Sequence, residues 1–383
     1  MSYTYSLPTT GAMSFVEFLK DVGSYSSEIS DATAQRGRIR TVLKELKKEA
    51  QEERDYRHIV NTIEDYLPYL ISVINCLESG ELKLKKSIET SWRSTLSDHI
   101  IHTGSNAPRI ACQDIYYELL FVLMTYGYAC SMQSNDIFKT IQEGSSTASA
   151  QYNKAADSLN TAASVFNYVA YEVIPKWKQA PESRPVETIK ELPVALSKMA
   201  LADAQYIAIN KALLTGNVSK SLVAKLYIGV AGQYEMAYGL VSSISGTQEV
   251  STDLKKYIFD GAQFYKAMGK KKMGEAVGFL RECKADLRSI QHSSLSKPHL
   301  RKSAVASRAF KEEEAVSELL QKFTMINDTV TYQNIPSRQD LLRIIPNGRG
   351  VLQMKRYQLP SPRFGPTQEE EHSANYARSG AYY

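Results

Sequence analysis

A chain of 383 residues, 43% hydrophobic and 23% charged, can bury one large core or two ordinary ones, which excludes a disordered or fibrous protein. A net charge of +5 is modest, and no aromatic-interleaved basic motif or zinc module accompanies it, which argues against nucleic-acid binding. The most apolar run, Tyr116–Met132, carries Glu118 and reads as a buried helix, not a membrane span.

The first ten residues, MSYTYSLPTT, read as an extended arm or strand. Ser14 stands three residues before Glu17, as an N-cap does before a short helix. Gln35 to Glu53 is charged and helical. From Tyr56 to Leu77 the apolar residues Ile59, Ile63, Tyr66, Leu67 and Leu70 repeat at helical spacing, and Pro68 predicts a kink or a break. Ser87 to Leu96 is less helical; Ile110 to Gln142 returns to a long helix. Ser145-Ser146-Thr147 supplies capping residues, and the helix from Ala148 to Ile174 is stopped by Pro175. Gln179 to Pro193 reads as a loop with at most a short helix.

Two helix pairs follow. Leu201-Ala202-Asp203-Ala204-Gln205-Tyr206 resembles Phe259-Asp260-Gly261-Ala262-Gln263-Phe264, an offset of 58 residues, with second helices beginning near Ser219 and Lys272. Small residues between large ones suit a solenoid-like stack. Ser303 to Ile326 is helical, Val330-Thr331-Tyr332 reads as a short strand, and a polar tail follows Pro366. The boundaries expected are a domain over 1–340 and an extension over 341–383, disordered at its end, where Tyr376, Tyr382 and Tyr383 fit a short linear motif or an unstructured end.

Chemistry is sparse. No phosphate loop, dinucleotide-binding glycine motif, nucleophile elbow or HExxH is present, and Ser294-Leu295-Ser296-Lys297 lacks companion motifs. Cys76, Cys112, Cys130 and Cys283 stand far apart and read as buried thiols of a reducing compartment; His99 and His102 have no third ligand nearby. No cofactor, metal or catalytic set is expected, and the sequon at Asn217 reads as chance in a cytoplasmic protein.

Two surfaces stand out. On a helical wheel from Ser219 to Val241, Val223, Tyr227, Val230, Tyr234, Ala237, Tyr238 and Val241 form the core face. Leu222, Leu226, Gly229 and Gln233 form a second stripe, beside Lys220 and Lys225. That stripe fits either cover by a neighbouring loop or a groove for an amphipathic helix that sets its leucines on Leu222 and Leu226 and its acids on Lys225. The second surface lies between Ser251 and Lys302, where 12 Lys+Arg against 5 Asp+Glu give a local charge of +7. Lys255, Lys256, Lys270, Lys271 and Lys272 there fit a solvated face or a contact with anionic lipid or an acidic partner.

The order of several segments resembles the Bro-domain family of the Alix type. They are Leu201–Gln205 with Val223-Ala224-Lys225-Leu226 and Tyr234; Ala155-Ala156 with Ala163–Phe166; Gly274–Val277 with Leu280-Arg281; and Thr331–Pro336. Leu7–Thr10, Gln35–Arg40, Ile63–Leu70 and Trp92-Arg93 are similar to a fungal branch of ambient-pH signalling proteins that lacks Alix's V-shaped domain and proline-rich region.

The resemblance implies a mostly α, curved boomerang-like domain with tetratricopeptide-like helix pairs and a small N-terminal β-sheet. It implies an adaptor that binds the C-terminal helix of the Snf-seven-type ESCRT-III subunit at membrane-associated or endosomal sites. Pathway partners would be an arrestin-like protein, a second Bro-domain scaffold and a calpain-like protease, leading to processing of a PacC-type transcription factor. The family's two aliphatic docking positions match Leu222 and Leu226. Its aromatic position falls on Ala208, and an acidic or aliphatic position falls on Ser149, both departures that make these residues groove lining. A general endosomal-sorting scaffold and a membrane-surface protein acting through the basic face are the alternatives.

Overall fold

The computed structural model describes residues 3–98, 109–142, 144–178, 180–216, 218–244, 249–273, 277–295 and 304–366. His99, His102, Asn217, Lys297, Tyr376, Tyr382 and Tyr383 lie outside them, as do Gly274–Ala276. Among the described residues the helices are α1 (Ser26–Leu46), α2 (Tyr56–Ser79), α3 (Ile115–Lys139), α4 (Ala148–Tyr168), α5 (Glu191–Thr215), α6 (Lys220–Ser243), α7 (Thr252–Met273), α8 (Val277–Leu295), α9 (Ala304–Ile326) and α10 (Arg338–Ile344). From α1 to α9 each packs on the next.

Local chemistry sets the ends. Asp55 caps α2 by accepting from the His58 amide at 3.0 Å, and Gly80, at φ 81°, ends it. The helix runs through Pro68 without the expected break. Ser219 caps α6 through the Leu222 amide at 3.2 Å. Helix α3 is buried nearly all round, which accounts for its apolar run, and no helix of the described residues is long and apolar enough to cross a membrane.

Several expectations are corrected. The chain from Arg109 to Gln113 is a strand, and α3 starts after Asp114, whose φ of 105° turns the backbone and whose carboxylate accepts from the Tyr116 amide. Ser14 makes no side-chain cap, and only a single 3-10 turn, Phe15–Glu17, follows it. Helix α1 begins at Ser26, ahead of the charged stretch. Lys272 closes α7 and does not open α8. Where a strand was expected at Val330–Tyr332, α9 continues as a π turn to Thr331, and Tyr332 is left-handed at φ 48°.

The strands are β1 (Leu19–Asp21), β2 (Lys83–Leu84), β3 (Glu89–Arg93), β4 (Ser97–Asp98), β5 (Arg109–Gln113) and β6 (Glu249–Val250). They pair antiparallel as β1–β2, β3–β5 and β4–β6, with Trp92 opposite Ile110. The N-terminal arm lies on the other edge of β3: the Gly11 amide donates to the Ser91 carbonyl at 3.0 Å and the Arg93 amide to the Thr9 carbonyl at 3.0 Å. A Cβ at position 11 would meet the Ser91 hydroxyl, which would have to turn aside.

A buried ionic knot joins this sheet to the helices. The Glu118 carboxylate on α3 accepts from Arg36 Nε at 2.8 Å, Arg36 Nη2 at 3.1 Å, Trp92 Nε1 at 2.8 Å and the Tyr66 hydroxyl at 3.3 Å. Arg36 also donates to Thr10 Oγ1 at 2.7 Å and to the Gly11 carbonyl at 2.9 Å. Every charge is thus paired, as burial demands.

The described residues past α10 do not leave the domain. They form a strap, 345–366, that runs back over the helices in extended form. The strap touches α6 and α5 at Arg349, lays Tyr357 against Tyr126 and Tyr168, and donates two amides, Arg363 and Phe364, to Ser72 Oγ at 2.7 and 2.9 Å. The part of the expected extension that is described therefore belongs to the packed body.

Candidate partner-docking face

Helices α5 and α6 form an antiparallel hairpin whose register is marked by the Gln205 side chain donating to the Leu226 carbonyl at 2.9 Å. That register sets Ala208 level with Leu222. Ala208 and Leu222 are half-buried and Lys225 is exposed, whereas Leu226 is only 6% exposed and belongs to the core. The expected pair of surface leucines is therefore one surface leucine and one core leucine. The Tyr227 ring, which packs near Tyr206 and Tyr265, fills the same core layer.

On the far side of α5, Lys211 Nζ donates to Asn153 on α4 at 2.6 Å. Ser149, exposed one turn before Asn153, thus lies on the α4 side of the same face as Ala208. Leu213 and Leu214, at the end of α5, are 38% and 42% exposed; they stand roughly 120–140° around the helix from Ala208 and so lie outside this face. The face therefore consists of Ala208 and Leu222, with Ser149 on its α4 side and Lys225 at its edge.

The basic window has a different character from that expected. Lys270 is 7% exposed and donates to Asp286 on α8 at 2.6 Å, with Glu282 at 4.0 Å. Lys271 donates to Glu312 on α9 at 2.6 Å, Lys256 to Asp260 at 3.0 Å, and Lys266 pairs with Glu235. Lys255 and Lys272 are half-buried, and burial beside Lys271 lowers the pKa of Lys272. Of the five singled-out lysines, Lys270 and Lys271 therefore pin α7 to α8 and α9 through ion pairs, and Lys256 pairs within α7. Lys270→Ala is expected to lower stability by about 2 kcal/mol, because Asp286 is left without its cation. Urea unfolding of the two proteins checks this, with vesicle flotation unchanged between them.

A polar groove of about 420 Å³ between α2, α3 and α4 is lined by Glu64, Tyr126, Cys130, Gln133, Asn153 and Asp157. Burial pushes the Cys130 thiol up, so it stays protonated at neutral pH and is no nucleophile. The Tyr126 hydroxyl donates to Glu64 at 2.7 Å. Among the described residues no group of three or more His, Cys, Asp or Glu is arranged to hold a metal ion, and the four cysteines are free and buried.

Similar proteins fit this architecture. The BRO1-like domain family matches residues 12–353. A "pH-response regulator protein palC" of Cryptococcus neoformans var. neoformans serotype D is 26% identical, over 95% of this chain and 93% of its own length. A protein of the same name from Emericella nidulans is 24% identical, over 97% of this chain and 90% of its own. Among solved structures, that of the ALIX BRO1–CHMP4C complex superposes with a TM-score of 0.69 at 15% identity, covering 96% of this chain and 99% of that one. The succession of paired helices, the small antiparallel sheets and the family match over most of the sequence lead to one assignment: this chain belongs to the BRO1-like domain family.

Proposed function

We propose that the protein is a non-enzymatic adaptor of a fungal alkaline-pH response, which docks the C-terminal amphipathic helix of a Snf-seven-type ESCRT-III subunit on the face between α4 and α6. The observation that carries the reading is the half-buried pair Ala208 and Leu222, set level by the α5/α6 register, with the exposed cation Lys225 beside it. An amphipathic helix with leucines at i and i+4 and acids on its flank is the partner such a face suits. The names of the relatives support the pH-response setting, and the fold shared with the ALIX BRO1 domain, solved in a complex with CHMP4C, supports helix docking. Recruitment to ESCRT sites at membranes then runs through the partner. An arrestin-like protein, a second Bro-domain scaffold and a calpain-like protease complete the assembly that leads to processing of a PacC-type factor.

So small an apolar face buries few side chains, and association must offset lost rotational freedom, so the affinity expected is on the order of micromolar. Leu222→Asp is expected to weaken binding of the synthetic helix at least tenfold in a calorimetric titration. Lys225→Glu is expected to weaken it several-fold and to flatten its salt dependence. Affinities equal to that of the unaltered protein for both variants would refute the assignment.

A further inference from the structure

The seam between α5 and α6 already holds a peptide, and the peptide belongs to this chain. At Asn347–Leu352 the strap lies backbone to backbone on α6. The Arg349 amide donates to the Lys225 carbonyl at 2.9 Å. The Gln205 side chain then acts as one rung of a β-ladder: its Nε2 donates to the Arg349 carbonyl at 2.9 Å, and its Oε1 accepts from the Val351 amide at 3.3 Å. A primary amide offers donor and acceptor side by side, so it reads an extended backbone and no particular side chain.

Two glycines allow this approach. A Cβ on Gly348 would lie 2.7 Å from the Gly229 nitrogen and 2.9 Å from the Ile228 carbonyl carbon, and a Cβ on Gly229 would lie 2.8 Å from the Arg349 carbonyl carbon. Asn347, Gly348, Arg349, Gly350 and Val351 are nonetheless all exposed, and apolar anchoring starts only with Leu352 and Met354. Few buried apolar contacts hold this stretch, which is the signature of a segment that opens locally. Its attachment past Leu352, at Tyr357 and Ser72, is separate.

The position of the contact matters. Lys225 is one turn along α6 from Leu222, and a docked helix is about 10–12 Å wide. A helix seated across Leu222 and Lys225 overlaps the turn on which Arg349 rests. We propose that the α5/α6 seam is an extended-peptide site filled in cis by Asn347–Leu352, and that the partner helix docks by releasing this stretch. The inference rests on the docking reading above and adds a competitor to it.

The test is amide hydrogen exchange on the full chain, with and without the synthetic ESCRT-III helix. Adding the helix is expected to speed exchange at Arg349 and Val351 at least tenfold while Arg363 and Phe364 stay protected. Gln205→Ala is expected to speed the same two amides without the helix and to tighten helix binding at least threefold. Gly348→Val, which releases the strap without altering α5, is expected to do the same. Helix binding with exchange at Arg349 and Val351 unchanged or slowed overturns the shared site and leaves the docking reading intact. No binding to the unaltered chain, Gln205→Ala or Gly348→Val overturns the docking reading, and the competition with it.

Discussion

Glu118→Ala is expected to lower stability by roughly 3–5 kcal/mol. The carboxylate is inaccessible to solvent and takes four hydrogen bonds, from Arg36, Trp92 and Tyr66. Truncation strands the Arg36 cation and the Trp92 N–H in a place water cannot reach. Thermal unfolding should shift down by roughly 5–15 °C. The double variant Arg36→Met with Glu118→Leu removes both charges together and should recover much of that loss. Its arm should still exchange faster at Gly11, because Thr10 and the Gly11 carbonyl lose their donor. A Glu118→Ala protein that melts within a degree of the unaltered one would show that the knot carries no stability.

Leu226→Asp and Leu222→Asp, four residues apart on one helix, are expected to behave in opposite ways. Leu226 sits in the core, so an aspartate there buries an unpartnered carboxylate and costs about 3–5 kcal/mol. Leu222 is half-buried, and an aspartate there turns to water at a cost of about 1 kcal/mol or less. Circular dichroism melts should separate the two by roughly 5 °C or more, with partner binding lost in Leu222→Asp while its fold is intact. Equal melting of both variants would mean that Leu226 is not the core residue described above. A double variant, Leu222→Asp with Leu226→Asp, cannot report on docking, because unfolding and lost contact give the same result.

The difference between those leucines shows where sequence reading stops. Periodicity located α2 and α9 closely, because their apolar spacing is a local property of the chain. The wheel of α6 placed Leu222 and Leu226 on one stripe correctly, yet a wheel holds no neighbours. What makes Leu226 core is the packing of α5 against it, and what rests beside it is a strap more than a hundred residues away in sequence. Gly229 was the readable trace: a glycine in the middle of a helix, poor for the core, marks a place where another backbone comes close. Ion pairing was equally hidden. Lys270 and Lys271 look like a basic cluster in sequence, but their partners stand 16 and 41 residues further on. The strand at Arg109–Gln113 was missed because its apolar residues run directly into those of α3, with only Asp114 to divide them.

The strap also has a place in time. Its anchor at Ser72 joins residues 291 positions apart, so it cannot form until nearly the whole described chain has been synthesised. The helices α1 to α6 need only near neighbours and can pack as they emerge. At roughly 5–20 residues per second, the stretch from the end of α6 to the strap takes on the order of ten seconds to make. For that interval the nascent protein presents the α5/α6 seam bare, and the ribosome-bound chain is a form in which the site has no internal occupant.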